Sequence, residues 1–135
     1  MKSKNGKYEI LIVEDNEELA SITKLLLEQN NFKAEFITDS TIAYDKIKKD
    51  RPLIVILDLL MPNVDGLRLC RKIKLSKTLT DIKIIIYSGK NYESDKRKAI
   101  NLGADAFFVK PTRAHLLIDK VKELLHPIPH EAYQN

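Results

Sequence analysis

Five short stretches rich in apolar residues recur along the chain, and each is followed by a polar break and then by apolar residues at helical spacing. The stretch at 53–57 is apolar throughout, which is typical of a strand buried on both faces. The stretch at 33–37 alternates only partly, as expected of a strand near a sheet edge. The predicted strands are residues 8–13, 33–37, 53–57, 82–87 and 106–109.

Helices are predicted in the five stretches that follow these strands. Asn16 is expected to cap the first and Thr112 the last, because short polar side chains accept hydrogen bonds from first-turn amides. Either Asp39 or Ser40 is expected to cap the second helix, and Gly103 to end the fourth. The predicted helices are residues 17 to about 30, 40–49, 66 to about 76, 91–102 and 113–126.

The spacing of apolar residues also predicts which side of each helix faces the core. The fourth helix is unusual, because its segment 93–98 is polar nearly all round and only Ala99, Ile100 and Leu102 anchor it. We expect this helix to be the least firmly packed or to have a partner. The predicted inner faces are Leu19, Ile22 and Leu26 in the first helix and Leu117, Val121 and Leu124 in the last.

Strict alternation of strands and helices predicts an α/β fold. Such chains form a parallel sheet with helices on both faces, joined by right-handed crossovers. The carboxyl ends of all five strands then lie along one edge, where open α/β sheets bind their ligands.

Size and composition indicate one globular domain at residues 8–126, with short tails at 1–7 and 127–135. The chain has 135 residues, 44% of them hydrophobic and 31% charged. It has neither a long apolar segment nor a signal peptide, so we expect a cytoplasmic protein without a membrane span. Cys70 is the only cysteine, which excludes a disulfide framework, and its helical neighbours indicate a core position.

The formal net charge of +4 raises the question of nucleic-acid binding. Basic residues cluster at 2–7, 68–77 and 90–98, but no nucleic-acid recognition motif accompanies them. Lysines on helices are usually solvated, so direct binding to nucleic acid is not favoured.

Polar residues follow the strands at the predicted binding edge. Strand one is followed by Glu14 and Asp15, strand three by Asp58, strand four by Ser88 and strand five by Lys110. Carboxylates about 4 Å apart repel by on the order of 1 kcal/mol in water and by about 4 kcal/mol in a partly buried site. A hard divalent cation would relieve this repulsion, and we expect Mg²⁺, with Mn²⁺ as an alternative. Taken alone, Asp58 could equally cap a helix or a turn.

A nucleophilic aspartate, a hydroxyl and a lysine around a divalent cation are suited to phosphoryl transfer. In this order and spacing they make the chain resemble the receiver domain of two-component response regulators, over residues 8–126. The motifs are Glu14-Asp15, Asp58 with the segment Met61-Pro62-Asn63-Val64-Asp65-Gly66 behind it, Ser88, and Lys110-Pro111. The resemblance implies a flavodoxin-like fold with strand order 2-1-3-4-5.

The resemblance also implies a role for each residue of the site. Asp58 would be the phosphoacceptor, assisted by Lys110, and the protein would be a signalling switch that assists only its own phosphorylation and dephosphorylation. The hydroxyl of Ser88 and the ring of Phe107 would form the switch, and the Lys110–Pro111 peptide bond would be cis. The implied metal ligands are Asp15, Asp58 and the backbone carbonyl of Leu60, with Glu14 acting through water.

The implied partners are proteins. A histidine kinase or phosphotransfer protein would supply the phosphoryl group, and a downstream target would recognise the face formed by the fourth helix, fifth strand and fifth helix. We expect a monomer or a phosphorylation-dependent dimer, working either as a stand-alone regulator, which we favour, or as a receiver cut from a longer protein.

Three other functions compete with this interpretation. A pseudo-receiver would bind partners without phosphorylation, and a basic DNA-binding protein would show steep salt dependence. A hydrolase with an aspartyl-phosphate intermediate would need a second acid two residues after Asp58, where this chain has Leu60. In the family, that position and the one occupied by Lys90 influence phosphoryl lifetime. We therefore expect a long-lived phosphoryl group, with Lys90 reaching it and Gly89 leaving the pocket open.

Overall fold

A parallel five-stranded sheet is the centre of the protein, which a computed structural model describes over residues 7–61, 64–89 and 93–126. The sheet order is β2-β1-β3-β6-β7, and a short antiparallel hairpin of β4 and β5 lies outside it. Counting only the sheet strands, this is the predicted order 2-1-3-4-5. The strands are β1 (Ile10–Val13), β2 (Ala34–Ile37), β3 (Ile54–Leu57), β4 (Leu60–Met61), β5 (Val64–Asp65), β6 (Lys83–Ser88) and β7 (Ala106–Val109).

Helices cover both faces of this sheet, which confirms the predicted α/β fold. Side chains from α2, α3 and α4 share one buried cluster with the sheet, and those from α1 and α5 share another. None of the helices in the described ranges is long and apolar enough to cross a membrane. The helices are α1 (Glu17–Gln29), α2 (Ala43–Asp50), α3 (Gly66–Leu75), α4 (Glu93–Asn101) and α5 (Ala114–Leu125), and a 3₁₀ turn (Ser40–Ile42) precedes α2.

The central strands are apolar on both sides because both sides are covered. Successive residues of a strand point to opposite faces, so Val55 and Leu57 join one cluster while Ile54 and Ile56 join the other. All four are at most 2% exposed. The uninterrupted apolar stretch therefore encodes a strand with two covered faces.

The register of the sheet aligns the strand ends that carry polar residues. Val13 is opposite Leu57, and Leu57 is opposite Ile86. Two backbone hydrogen bonds extend this alignment beyond the strands: the Asp58 amide donates to the Val13 carbonyl at 3.2 Å, and the Lys110 amide donates to the Ser88 carbonyl at 2.8 Å. Residues that directly follow the strands are thus held at one edge.

The predicted inner faces of two helices need correction. In α1 the buried residues are Ala20, Thr23 and Leu27, whereas Ile22 is 56% exposed. The buried stripe has the predicted spacing but lies one residue further along, because the small Ala20 and Thr23 allow close approach to the sheet. In α4 Ala99 is fully buried, but Ile100 is 46% exposed and does not anchor the helix.

The predicted caps are only partly confirmed. The Asn16 side chain accepts from the Leu19 amide at 3.0 Å, as predicted. Asp39 caps the 3₁₀ turn and not the second helix itself, because α2 begins after Ile42, which makes no side-chain capping hydrogen bond. Thr112 was the wrong choice, because Arg113 is the N-cap of α5 and its side chain makes no capping hydrogen bond. The predicted start of the fourth helix at Asn91 lies outside the described residues.

The helix-5 prediction is confirmed for two of its three inner residues. Leu117 and Val121 are buried, while Leu124 is only partly buried at the edge of the cluster. Ile118 and Leu125 are buried as well. The apolar stripe is therefore wider than the spacing of three residues indicated.

A polar clamp joins α3 to the amino-terminal ends of β6 and β7. The Lys74 ammonium donates to the Ile82 carbonyl at 2.8 Å and pairs with Asp105 Oδ2 at 3.1 Å, and the same carboxylate oxygen accepts from the Ile84 amide at 2.8 Å. Gly103, which ends α4 as predicted, has φ +105° and packs against the Lys74 side chain.

Replacing Gly103 by alanine should destabilise the domain by about 2 kcal/mol, because alanine is strained at positive φ and its Cβ would lie 2.8 Å from Lys74 Cγ. Gly89→Ala is the matched control, since among the described residues a Cβ there meets only Leu60 Cδ1, at 3.8 Å. Urea titration of both variants measures the effect. Equal midpoints for the two variants would contradict the argument.

Candidate functional site

Three carboxylates meet at the carboxyl edge of the sheet. Glu14 and Asp15 follow β1 and Asp58 follows β3, and one oxygen of each lies within 4.8 Å of the others. Glu14 is 5% exposed and Asp58 is 6% exposed, while Asp15 is open to solvent. The structure thus brings together the acids that the sequence analysis selected.

Lys110 extends from the end of β7 to the two buried acids. Its ammonium donates a hydrogen bond to Glu14 Oε1 and lies 3.4 Å from Asp58 Oδ2. The peptide bond that joins it to Pro111 is cis. One cation therefore lies beside two buried carboxylates.

Tyr87 is a neighbour of Lys110 that sequence reasoning missed. The Lys110 ammonium lies 5.5 Å from the centroid of the Tyr87 ring, within range of a cation–π interaction. Strand alternation places Tyr87 on the opposite face from Ser88, so spacing alone gives no reason to connect it with the site. The only sequence signal for this contact is that Tyr87, an aromatic residue, directly precedes Ser88.

Backbone amides orient both buried carboxylates. The Leu60 amide donates to Asp58 Oδ1 at 3.0 Å, and the Asn16 amide donates to Glu14 Oε2 at 3.3 Å. In each case the donor lies two residues after the acid, the arrangement of an Asx-type turn. The loops therefore fix the acids through their own backbones.

Gly66 lets α3 begin directly against the Asp58 loop. A Cβ at this position would lie 2.9 Å from the Asp58 carbonyl oxygen and 3.0 Å from the Leu59 Cα. Only glycine permits such close backbone approach without displacement. The Asp-Gly pair noted in the sequence thus serves two purposes, since Asp65 also caps α3 by accepting from the Leu67 amide at 3.0 Å.

The remaining predicted residues differ in how deeply they are buried. Ser88 is fully buried, and Phe107 is partly buried against the cluster that includes α4 residues. Leu60 is 50% exposed, and its side chain lies over Gly89. Pro62, Asn63 and Lys90, which also entered the predictions, lie outside the described residues.

The electrostatics of the site are dominated by burial of like charges. Burial raises the pKa of Glu14 from its ordinary value of 4.5 to about 7, and repulsion from Asp58 acts in the same direction. The hydrogen bond from Lys110 opposes the shift without cancelling it. Near neutral pH, Glu14 therefore binds a proton for part of the time.

The donor set fits a hard divalent cation. Three carboxylates face a single ammonium, which leaves an excess of up to two negative charges, and their oxygens are the ligands that Mg²⁺ and Mn²⁺ prefer. Within the described part of the chain, no histidine or cysteine belongs to this cluster, which disfavours zinc. Glu14, Asp15 and Asp58 are the side chains able to hold such an ion.

This fold and acid cluster define the receiver class of signalling domains. The family model described as "Response regulator receiver domain" matches residues 10–122. The chain therefore belongs to the response-regulator receiver family, a class of signalling switches rather than catalytic enzymes.

Relatives and solved structures agree with this assignment. The response regulator ArlR of Staphylococcus epidermidis is 36% identical over 120 residues, covering 89% of this chain and 53% of ArlR. An uncharacterised transcriptional regulatory protein of Bacillus subtilis, YclJ, is 31% identical over 116 residues, covering 86% and 50% of the two chains. The chain thus spans about half the length of these relatives.

Structural similarity covers nearly all of the solved domains. The signal receiver domain of a DNA-binding response regulator from Colwellia psychrerythraea superposes with a TM-score of 0.82 at 30% identity, covering 87% of this chain and 98% of that one. A CheY-like receiver domain from Methanospirillum hungatei gives a TM-score of 0.81 at 28% identity, with 87% and 93% covered.

The raised pKa of Glu14 predicts a pH-dependent stability in the absence of divalent cations. The folded protein binds this proton more tightly than the unfolded chain, so the contribution is fully present below about pH 4.5 and is lost as the pH rises through about 7. Relative to Glu14→Gln, the wild-type protein should lose about 3 kcal/mol over this window. Urea titrations in a chelator measure the difference, and a difference that grows with pH would contradict the assignment.

Proposed function

We propose that the protein accepts a phosphoryl group on Asp58 from a histidine kinase or a phosphotransfer protein, in the presence of Mg²⁺. The observation that carries this proposal is the setting of the Asp58 carboxylate, which is buried among two other acids and lies 3.4 Å from the Lys110 ammonium. A structural carboxylate needs one counter-charge, whereas this one shares its cation with Glu14 and still sits beside further negative charge.

The transfer itself requires little from the protein beyond positioning and charge neutralisation. A carboxylate oxygen of Asp58 forms a bond to phosphorus while the bond from phosphorus to the donor imidazole breaks, and the leaving nitrogen takes up a proton. The Leu60 amide holds Asp58 Oδ1 at 3.0 Å, which leaves Oδ2, on the Lys110 side, as the oxygen for attack. A bound Mg²⁺ would neutralise charge on the phosphoryl oxygens.

The residues that would hold Mg²⁺ are Asp15 and Asp58, together with the Leu60 backbone carbonyl, and Glu14 would act through water. The exposure of Asp15 supports this assignment, because the cation would enter from the solvent side of the cluster. Glu14 and Asp58 supply the buried part of the donor set.

A phosphoryl group on Asp58 would compete with Glu14 for the Lys110 ammonium. Lys110 is already bonded to both acids, so added negative charge at Asp58 favours its movement toward the modified residue. The Lys110 amide is also bonded to the Ser88 carbonyl, which links this movement to the end of β6. Ser88 and Phe107 would then act as the switch.

The output face would be α4, β7 and α5, and its target a partner protein. Weak anchoring of α4 supports this choice, because Ile100 is exposed and Ala99 supplies the fully buried apolar contact among the described α4 residues. Phe107 on β7 packs against the same cluster as Ala99. A monomer or a phosphorylation-dependent dimer is compatible with such a face.

Phosphorylation should be stoichiometric and dependent on Mg²⁺ and Asp58. We expect one phosphoryl group per chain, both from a small acyl-phosphate donor and from the cognate kinase. Asp58→Asn should take up none. In Lys110→Met, which keeps the length of the side chain but loses its charge, uptake should be slower by at least about tenfold. Intact-mass measurement with and without a chelator tests this. Partner binding by an unphosphorylated chain that takes up no phosphate would favour a pseudo-receiver instead.

Leu60→Asn should shorten the lifetime of the phosphoryl group. The apolar Leu60 side chain lies over Gly89 beside Asp58 and offers no hydrogen bond to an attacking water. An asparagine can orient that water, so we expect hydrolysis to accelerate by about tenfold. Leu60→Met is the control that keeps the apolar cover. Decay of the phosphorylated protein is followed by intact mass, and equal half-lives for the Asn and Met variants would contradict the role of Leu60.

A further inference from the structure

A groove between α2 and α3 lies apart from both the acid cluster and the α4-β7-α5 face. It has a volume of about 530 Å³, within the range of peptide- and ligand-binding clefts. Tyr44 forms its α2 side and Leu69 its floor. Along the α3 side lie Arg68, Arg71, Lys72 and Leu75.

The apolar part of the groove includes a side chain that is largely exposed to solvent. Leu75 is 71% exposed, the highest value among the large apolar side chains of the described residues. Tyr44 is half-buried on the opposite wall, and Leu69 beneath them is buried. Single exposed leucines are common, but one that shares a cleft with a tyrosine and two arginines has the composition of an interface centre.

The basic part of the groove lacks the pairing found elsewhere on this face. Lys46 pairs with Asp50 at 3.1 Å and Lys74 with Asp105 at 3.1 Å. By contrast, within residues 7–61, 64–89 and 93–126 no carboxylate lies within 4.0 Å of the charged groups of Arg68, Arg71 or Lys72. These three cations are exposed and lie along a single helix.

The nearest acid in the groove already has a partner. Asp65 caps α3 through the Leu67 amide, so its carboxylate is held at the helix start rather than among the cations. Lys72 lies 3.9 Å from the centroid of the Tyr44 ring, and this contact keeps a positive charge over the apolar wall. The groove thus combines an apolar centre with a rim of exposed positive charge.

We propose that this groove is a docking surface for an acidic segment of a partner protein that carries a large apolar side chain. The apolar side chain would lie between Tyr44 and Leu75, and carboxylates on either side would pair with Arg68 and Arg71. Charge complementarity supports an acidic peptide, since bidentate arginine–carboxylate pairs are the strongest available to these residues.

A nucleic acid fits the same surface less well. Phosphates would meet the arginines, but a duplex has no apolar group to cover Leu75. Base stacking is also disfavoured, because the Lys72 ammonium already covers a face of the Tyr44 ring. The proposal goes beyond the phosphoryl-transfer function and does not depend on it, since none of the groove residues named here belongs to the acid cluster.

Selection of short random peptides displayed on phage tests the proposal. Selection against the wild-type protein, with the double variant Arg68→Glu/Arg71→Glu as counter-target, should enrich Asp and Glu flanking Leu, Phe or Trp. For an enriched peptide measured by fluorescence anisotropy, Arg71→Glu should weaken binding by about tenfold, and Leu75→Ser by a similar factor. Lys96→Glu, the same charge reversal on α4, is the matched control and should leave the affinity within about twofold.

Other outcomes would overturn the proposal. Enriched peptides that lack acidic residues would show that binding occurs elsewhere. The same conclusion would follow if Lys96→Glu weakened the binding of an enriched peptide as much as Arg71→Glu does. A wild-type dimer in sedimentation velocity that Leu75→Ser dissociates would identify a second copy as the occupant. Tighter binding of a duplex oligonucleotide than of the peptide, sensitive to Arg71→Glu, would identify a nucleic acid. The substituted side chains are exposed, and urea titration confirms that each variant is folded.

Discussion

Repulsion between buried carboxylates is the constraint on which this structure depends. Glu14 and Asp58 are both almost inaccessible, and one ammonium, from Lys110, lies between them. Like charges about 4 Å apart cost about 4 kcal/mol at the effective dielectric of such sites. Burial is the main cause of the raised pKa of Glu14, and repulsion from Asp58 adds to it. Carboxylates that repel each other remain close only where the backbone prevents them from separating, and the register of the parallel strands does this.

The opposite end of the sheet shows how the restraint is maintained. There Lys74 and Asp105 form a fully paired network with the Ile82 carbonyl and the Ile84 amide, so charge is balanced and the strand ends are locked. Between the two edges, all side chains of β1 and β3 are buried. Stability therefore comes from the core and the amino-terminal edge, and the carboxyl-terminal edge is left able to respond to a change in charge.

How much of this structure can be predicted from the sequence depends on whether the interactions are local or join distant parts of the chain. Strand positions, the cap by Asn16 and the meeting of Glu14, Asp15 and Asp58 depend on local patterns and on one topological rule, and they were predictable. The exposure of Ile22 depends on how closely α1 approaches the sheet, which periodicity does not encode. The cation–π contact of Tyr87 with Lys110 joins a residue of β6 to the residue that follows β7, on a face that alternation alone assigns to the core.

Helix α3 connects the two surfaces on which function is proposed to rest. Its first residue, Gly66, packs against the Asp58 carbonyl with no space between them. A movement of the Asp58 loop would therefore either displace the helix or be prevented by it. The cations of the α2–α3 groove lie between roughly half a turn and two turns further along the same helix. A partner bound in the groove would therefore act on α3, the helix that packs against the acid cluster. Because such coupling is reciprocal, charge added at Asp58 would alter the affinity of the groove by the same free energy.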